Sequence, residues 1–176
     1  MNKAGKSTAG VRAIAVVAAI CALVIAVGLG GCSKGSSTAA VSKDPKGMLD
    51  AVGKWYVAQG QLDMTGFKAG IYDPDNVLGV ATATAAPKGI AKENTTYTWV
   101  GNSIVIVMPS QHATVTATPS KTQANKVDLA DSTGRGGSFI MKNVDGVWKI
   151  DVNETQKIAA SAAGSSATSS APSSAP

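Results

Sequence analysis

From Lys46 onward the apolar residues Met48, Leu49, Val52, Trp55 and Tyr56 recur every three or four positions, the period of one helix face. Asp44-Pro45 stands just before them, an N-cap acceptor followed by proline at the first helical position. The pattern predicts an amphipathic helix of about 14 residues that stops near Gly60. A second, shorter helix is expected from Asp63 to about Tyr72, weakened by Gly66 and Gly70. Asp73-Pro74-Asp75-Asn76 reads as a turn, and residues 77–94, with Pro87 and Gly89, as loop.

From Thr95 the period shortens to two. Thr95–Val100 and Ser103–Met108 are strands around Gly101-Asn102. The unbroken run Ile104-Val105-Ile106-Val107 suggests a central strand covered on both faces. His112–Thr118 alternates polar and small apolar residues, and Val127–Asp131 is a short strand. Ser138–Val144 and Val147–Val152 form a hairpin across Asp145-Gly146, with Trp148, Ile150 and Val152 on one face. Helices followed by a meander make an α+β domain over residues 44–158, with one or two N-terminal helices packed on a bent antiparallel sheet of four to five strands.

Both ends differ in composition from this middle. Residues 1–12 carry Lys3, Lys6 and Arg12 and no acid, and an Ala/Val/Ile/Leu run extends to Leu29. That is the layout of a secretory signal. It ends in Leu29-Gly30-Gly31-Cys32, which resembles the lipobox of bacterial lipoproteins. The resemblance implies diacylglycerol on the Cys32 thiol, cleavage between Gly31 and Cys32, and attachment to the outer face of the cytoplasmic membrane. Two lipid chains are what stable anchoring requires. The alternatives are an uncleaved spanning helix, for which the run is only just long enough, or a plain signal with an incidental cysteine. Residues 32–43 read as a flexible tether, and residues 159–176, which contain only Ala, Ser, Pro, Thr and Gly, as a disordered tail.

The element order and the closing Asp145-Gly146-Val147-Trp148-Lys149-Ile150-Asp151 resemble NTF2-like (cystatin-like) domains. The resemblance implies a bent sheet wrapped around the long N-terminal helix as a cone, with an apolar pocket where helix and concave face meet. Trp55, Tyr56, Tyr97 and Trp99 are the candidate pocket residues. The plainer alternative makes Trp55 and Trp148 core and leaves Tyr97 exposed.

Charge narrows the function. Of sixteen Lys and Arg, three lie in the signal, so thirteen face eleven acids in the mature chain. The charges are scattered, and no basic stripe with interleaved aromatics points to nucleic acid. Arg135 is the single mature arginine. Cys32 would be the single mature cysteine, which excludes an intrachain disulfide or a cysteine metal site. His112 is the only histidine, and its position in phase with Thr114 and Thr116 predicts a solvent-facing side chain. Asp73-x-Asp75-Asn76 lacks the glycine and distal glutamate of a calcium loop. Gly134-Arg135-Gly136-Gly137 matches no phosphate-loop fingerprint and reads as a loop. Asp128 and Asp131 match no catalytic motif. No catalytic set, metal or cofactor is expected. The expectation is a lipid-anchored module that binds an envelope protein or a small apolar ligand. The alternatives are a small NTF2-like enzyme acting on envelope material and a purely structural surface lipoprotein.

Overall fold

The structure is a computed structural model, and it describes residues 42–77, 80, 91–133 and 136–166. The signal segment, Gly31, Cys32 and most of the tether lie outside the described residues. So do Gly134, Arg135 and the tail beyond Ser166. Helix α1 (Pro45–Gly60) begins as its sequence demands, with the Asp44 carboxylate accepting from the Gly47 amide at 2.9 Å. Helix α2 (Met64–Ala69) is capped by Asp63, which accepts from the Thr65 and Gly66 amides. A single 3-10 turn, Pro74–Asn76, follows.

Six strands then form one antiparallel sheet, not four or five, in strict chain order: β1 (Thr96–Val100), β2 (Ser103–Met108), β3 (Ala113–Pro119), β4 (Lys126–Asp131), β5 (Gly136–Val144) and β6 (Val147–Ile150). The sheet curls into a half-barrel around α1. The turns alternate between two poles. The β1–β2, β3–β4 and β5–β6 connections lie at one pole with the start of α1; the β2–β3 and β4–β5 connections lie at the other. In the β5–β6 turn both Asp145 and Gly146 have positive φ, as a primed two-residue hairpin turn requires.

Register assigns the faces. Tyr97 and Trp99 pair with Ile106 and Ile104, which pair in turn with Val115 and Ala117. This concave face receives Met48, Leu49, Val52 and Trp55 of α1, all at most 2% exposed. The Trp55 ring meets those of Tyr56, Phe67 and Phe139 at 5.2, 5.3 and 5.4 Å between centroids.

Two expectations need correction. β2 is not covered on both faces: Val105 is half-buried and Val107 is 39% exposed, because among the described residues no further layer lies on the convex side of β1–β3. β5 is the doubly covered strand, with Phe139, Ile140 and Met141 consecutively buried. The cover is helix α3 (Val152–Ser166), which packs on the outer side of β5. The last strand therefore ends at Ile150, and Val152 starts a helix. Asp151 makes the switch. Its carboxylate accepts from the Glu154 amide at 2.9 Å, an N-cap, while its own amide donates to the Ile140 carbonyl at 2.8 Å. α3 also carries helix eight residues into the stretch expected to be disordered, since alanine continues a capped helix at little cost.

Candidate functional site

The half-barrel does not close. β1 pairs only with β2, and β6 pairs with β5 and, through Ile150, with Ile71. Between these two edges no described residue covers one side of α1. That side forms the floor of a groove of about 580 Å³, walled by Tyr97 of β1, by the β5–β6 turn with Trp148, and by α2.

The floor is built from small and charged residues: Gly47, Asp50, Ala51, Lys54 and Ala58 recur at helical spacing. Small residues let the aromatic walls lie close. A Cβ at Gly53 would sit 2.6 Å from the Tyr97 ring, and one at Gly47 would sit 2.9 Å from Trp148. Each wall is also tied to α1 by a polar bond. The Tyr97 hydroxyl donates to Asp50 at 2.6 Å, and the Trp148 indole N–H donates to Asp44 at 2.9 Å. Lys54 completes the first arrangement with an ion pair to Asp50 at 2.6 Å, one helical turn away.

This cluster shifts its own titrations. Burial pushes the Tyr97 phenol up, and its bond to the Asp50 carboxylate and that carboxylate's charge add to the effect, to about 12. For Asp50, burial raises the pKa. The hydrogen bonds from Lys54 and Tyr97, with the Lys54 charge, outweigh it and hold the carboxyl below its ordinary value.

Trp55 lies under the same groove and is 2% exposed. Its indole N–H is buried and has no hydrogen-bond partner among the described residues. The Cδ1 edge of that ring faces Gly70 of the groove wall, where an added Cβ would come within 2.9 Å. A buried donor left unpaired costs about 1–3 kcal/mol.

The four candidate aromatics are thus only half assembled. Trp55 and Tyr97 share the groove. Tyr56 is 8% exposed and belongs to the core behind it. Trp99, 43% exposed, lines a separate, largely apolar hollow of about 320 Å³ with Pro45, Leu49 and Pro119. Asp44, Asp50, Lys54 and Trp148 were missed as site residues. The Asp50/Lys54 spacing and the tryptophan of the closing motif are their only sequence signals.

His112 is exposed in a left-handed conformation at the end of the 3-10 turn Pro109–Gln111, just before β3 rather than in it, and lines neither cavity. Asp128 pairs with Lys126 at 3.0 Å, and Asp131 accepts from Thr133. Asp73 accepts from the Asn76 side chain at 2.8 Å. Gly136 and Gly137 open β5. Among the described residues no group of three His, Cys, Asp or Glu is placed to hold a metal, and no helix is long and apolar enough to cross a membrane. Comparison with family models, curated proteins and solved structures finds no match to this chain.

Proposed function

We infer that this chain is a bacterial lipoprotein, held by diacylglycerol on Cys32 at the outer face of the cytoplasmic membrane, whose domain is a binding module. The groove between β1 and β6 is its ligand site. The observation that carries this reading is the open groove itself, with two aromatic walls over a floor of small and charged residues. Such a site suits a ligand, or a segment of an envelope protein, that brings an apolar body and at least one hydrogen-bond acceptor. The domain is of the NTF2-like or cystatin-like kind, a reading supported by the meander curled around one long helix. Binding is favoured over catalysis because the only histidine, His112, is exposed and outside the groove lining.

The test is native mass spectrometry of the full chain taken from its own membrane, beside Ala51→Trp, which fills the groove from its floor. The expected result is an added non-covalent mass in the wild type that is absent from Ala51→Trp at unchanged fold. A bare mass in both, with no partner crosslinked near Lys54, would sink the binding reading. The anchor is read from the covalent mass of the same sample: diacylglycerol on Cys32, lost with the cleavage in Cys32→Ser.

A further inference from the structure

The groove leaves one pole of the half-barrel unexplained. Among the described residues four large apolar side chains are markedly exposed, and three of them, Trp99, Val100 and Val147, lie at the pole where α1 begins. Trp99 and Val100 run into the β1–β2 turn, and Val147 leaves the β5–β6 turn. The fourth, Val107, is on the convex face of β2. Lys43, Lys46 and Lys121 are exposed at the same pole, and none of the three described ion pairs uses them. The acids there are Asp44, Asp145 and Asp128, the last paired with Lys126 at 3.0 Å. The first is engaged by the Gly47 amide and the Trp148 indole. The hollow beside Trp99 opens at this pole with Lys46 and Lys121 at its rim and Pro45, Leu49 and Pro119 inside.

The chain also enters the domain here. Ser42 accepts from the Asp44 amide at 3.2 Å, so the polypeptide arriving from Cys32 meets the fold beside Trp148. Nine residues lie between Cys32 and Ser42, and the ten steps from one to the other reach about 35 Å at full extension. The opposite pole lies a further strand away, about 20 Å for six residues.

We propose that the Trp99/Val100/Val147 pole, with Lys43, Lys46 and Lys121, is a docking surface for an anionic lipid bilayer. The reading rests on the anchored topology inferred above, in which the tether joins the domain at this pole. The chemistry is independent of that topology. An exposed tryptophan with an apolar body and a polar N–H sits well at the headgroup level. Lysines around it keep their ammonium groups in water beside the phosphates while their stems cover apolar surface. One lipid anchor plus such a patch orients a domain that a tether alone would leave tumbling, and it turns the open side of α1 along the membrane rather than away from it.

The experiment uses the full chain reconstituted in vesicles whose acyl chains carry bromine, which quenches tryptophan on contact. Vesicles of phosphatidylglycerol are compared with vesicles of phosphatidylcholine. In the anionic vesicles a quenched component is expected that disappears in Trp99→Phe and weakens several-fold when Lys43, Lys46 and Lys121 are changed together to Gln. Val107→Ser should leave it unchanged. Since Trp99 is exposed, an unchanged circular dichroism spectrum and melting midpoint are expected to certify the fold of the Phe variant. Quenching that is indifferent to Trp99→Phe overturns the proposal. So does a Trp99 that the bilayer leaves unquenched yet that native membranes shield from acrylamide, which would assign the patch to a protein. The two readings fail separately. Quenching without diacylglycerol on Cys32 retains the surface and retires the anchor; diacylglycerol without quenching does the reverse.

Discussion

The two sides of α1 are made of different material. The inner side, Met48, Leu49, Val52, Trp55 and Tyr56, is large, apolar and buried in the curl of the sheet. The outer side, Gly47, Asp50, Ala51 and Lys54, is small or charged and faces the groove between Tyr97 and Trp148. One helix thus serves both as the core of the domain and as the floor of its groove. Stability belongs to the first side, and the second is where substitution would act on the proposed binding without unfolding the protein.

The sharpest way to break this contrast is Trp55→Ala beside Lys54→Ala. The first removes a side chain that is 2% exposed in the core and is expected to cost about 3–5 kcal/mol in urea unfolding. The second lies at the surface and is expected to stay within about 0.5 kcal/mol. Equal losses would mean that the groove side is structural after all. Gly53→Ala tests the close approach of Tyr97. The new methyl must displace the ring, at about 1–3 kcal/mol. In a Tyr97→Ala background the same change should instead stabilise, by about 0.5–1 kcal/mol, since alanine is then the better helix former.

Asp44→Ala removes a cap and the partner of Trp148 together, and about 1 kcal/mol should appear as a lower melting midpoint. Smallest is Tyr97→Phe, about 0.5–1.5 kcal/mol for one hydrogen bond. It carries a pH signature. The folded phenol titrates near 12, above its ordinary 10.0, so its contribution is whole below pH 10 and is lost as pH rises toward 12. Asp50 has the opposite sign: lowered in the fold, it contributes at neutral pH and loses that contribution as pH falls through its folded value. An alkaline absorbance titration should show a late component that Tyr97→Phe removes; a titration left unchanged by that substitution would contradict the bond to Asp50.

Local chemistry was legible wherever it was decided locally. Asp44-Pro45 starts α1 and Asp145-Gly146 turns β5 into β6, because caps and tight turns depend on a few adjacent residues. The end of β6 was misread although Asp151-x-x-Glu154 carries a cap signal, since Val152 continued the alternation begun by Trp148 and Ile150. The doubly covered strand was misassigned for a different reason. β-branched composition favours burial, but which strand receives α3 is a tertiary outcome, and it fell on Phe139-Ile140-Met141. The groove was the least legible feature. Its ties join Tyr97 to Asp50 across 47 positions and Trp148 to Asp44 across 104, and no window along the chain spans them.

The order of the sheet bears on how the molecule reaches this state. Every strand is hydrogen-bonded to the one before it, so each pairing step from β1 to β6 closes only a short loop, at little entropic cost. Contacts of that kind favour rapid folding. The exception is the meeting of β6 with the start of α1, which must close more than a hundred residues at once. That encounter is expected to come late, after the strands have zipped, and the fluorescence of Trp148 should follow it as a clock separate from the formation of the sheet.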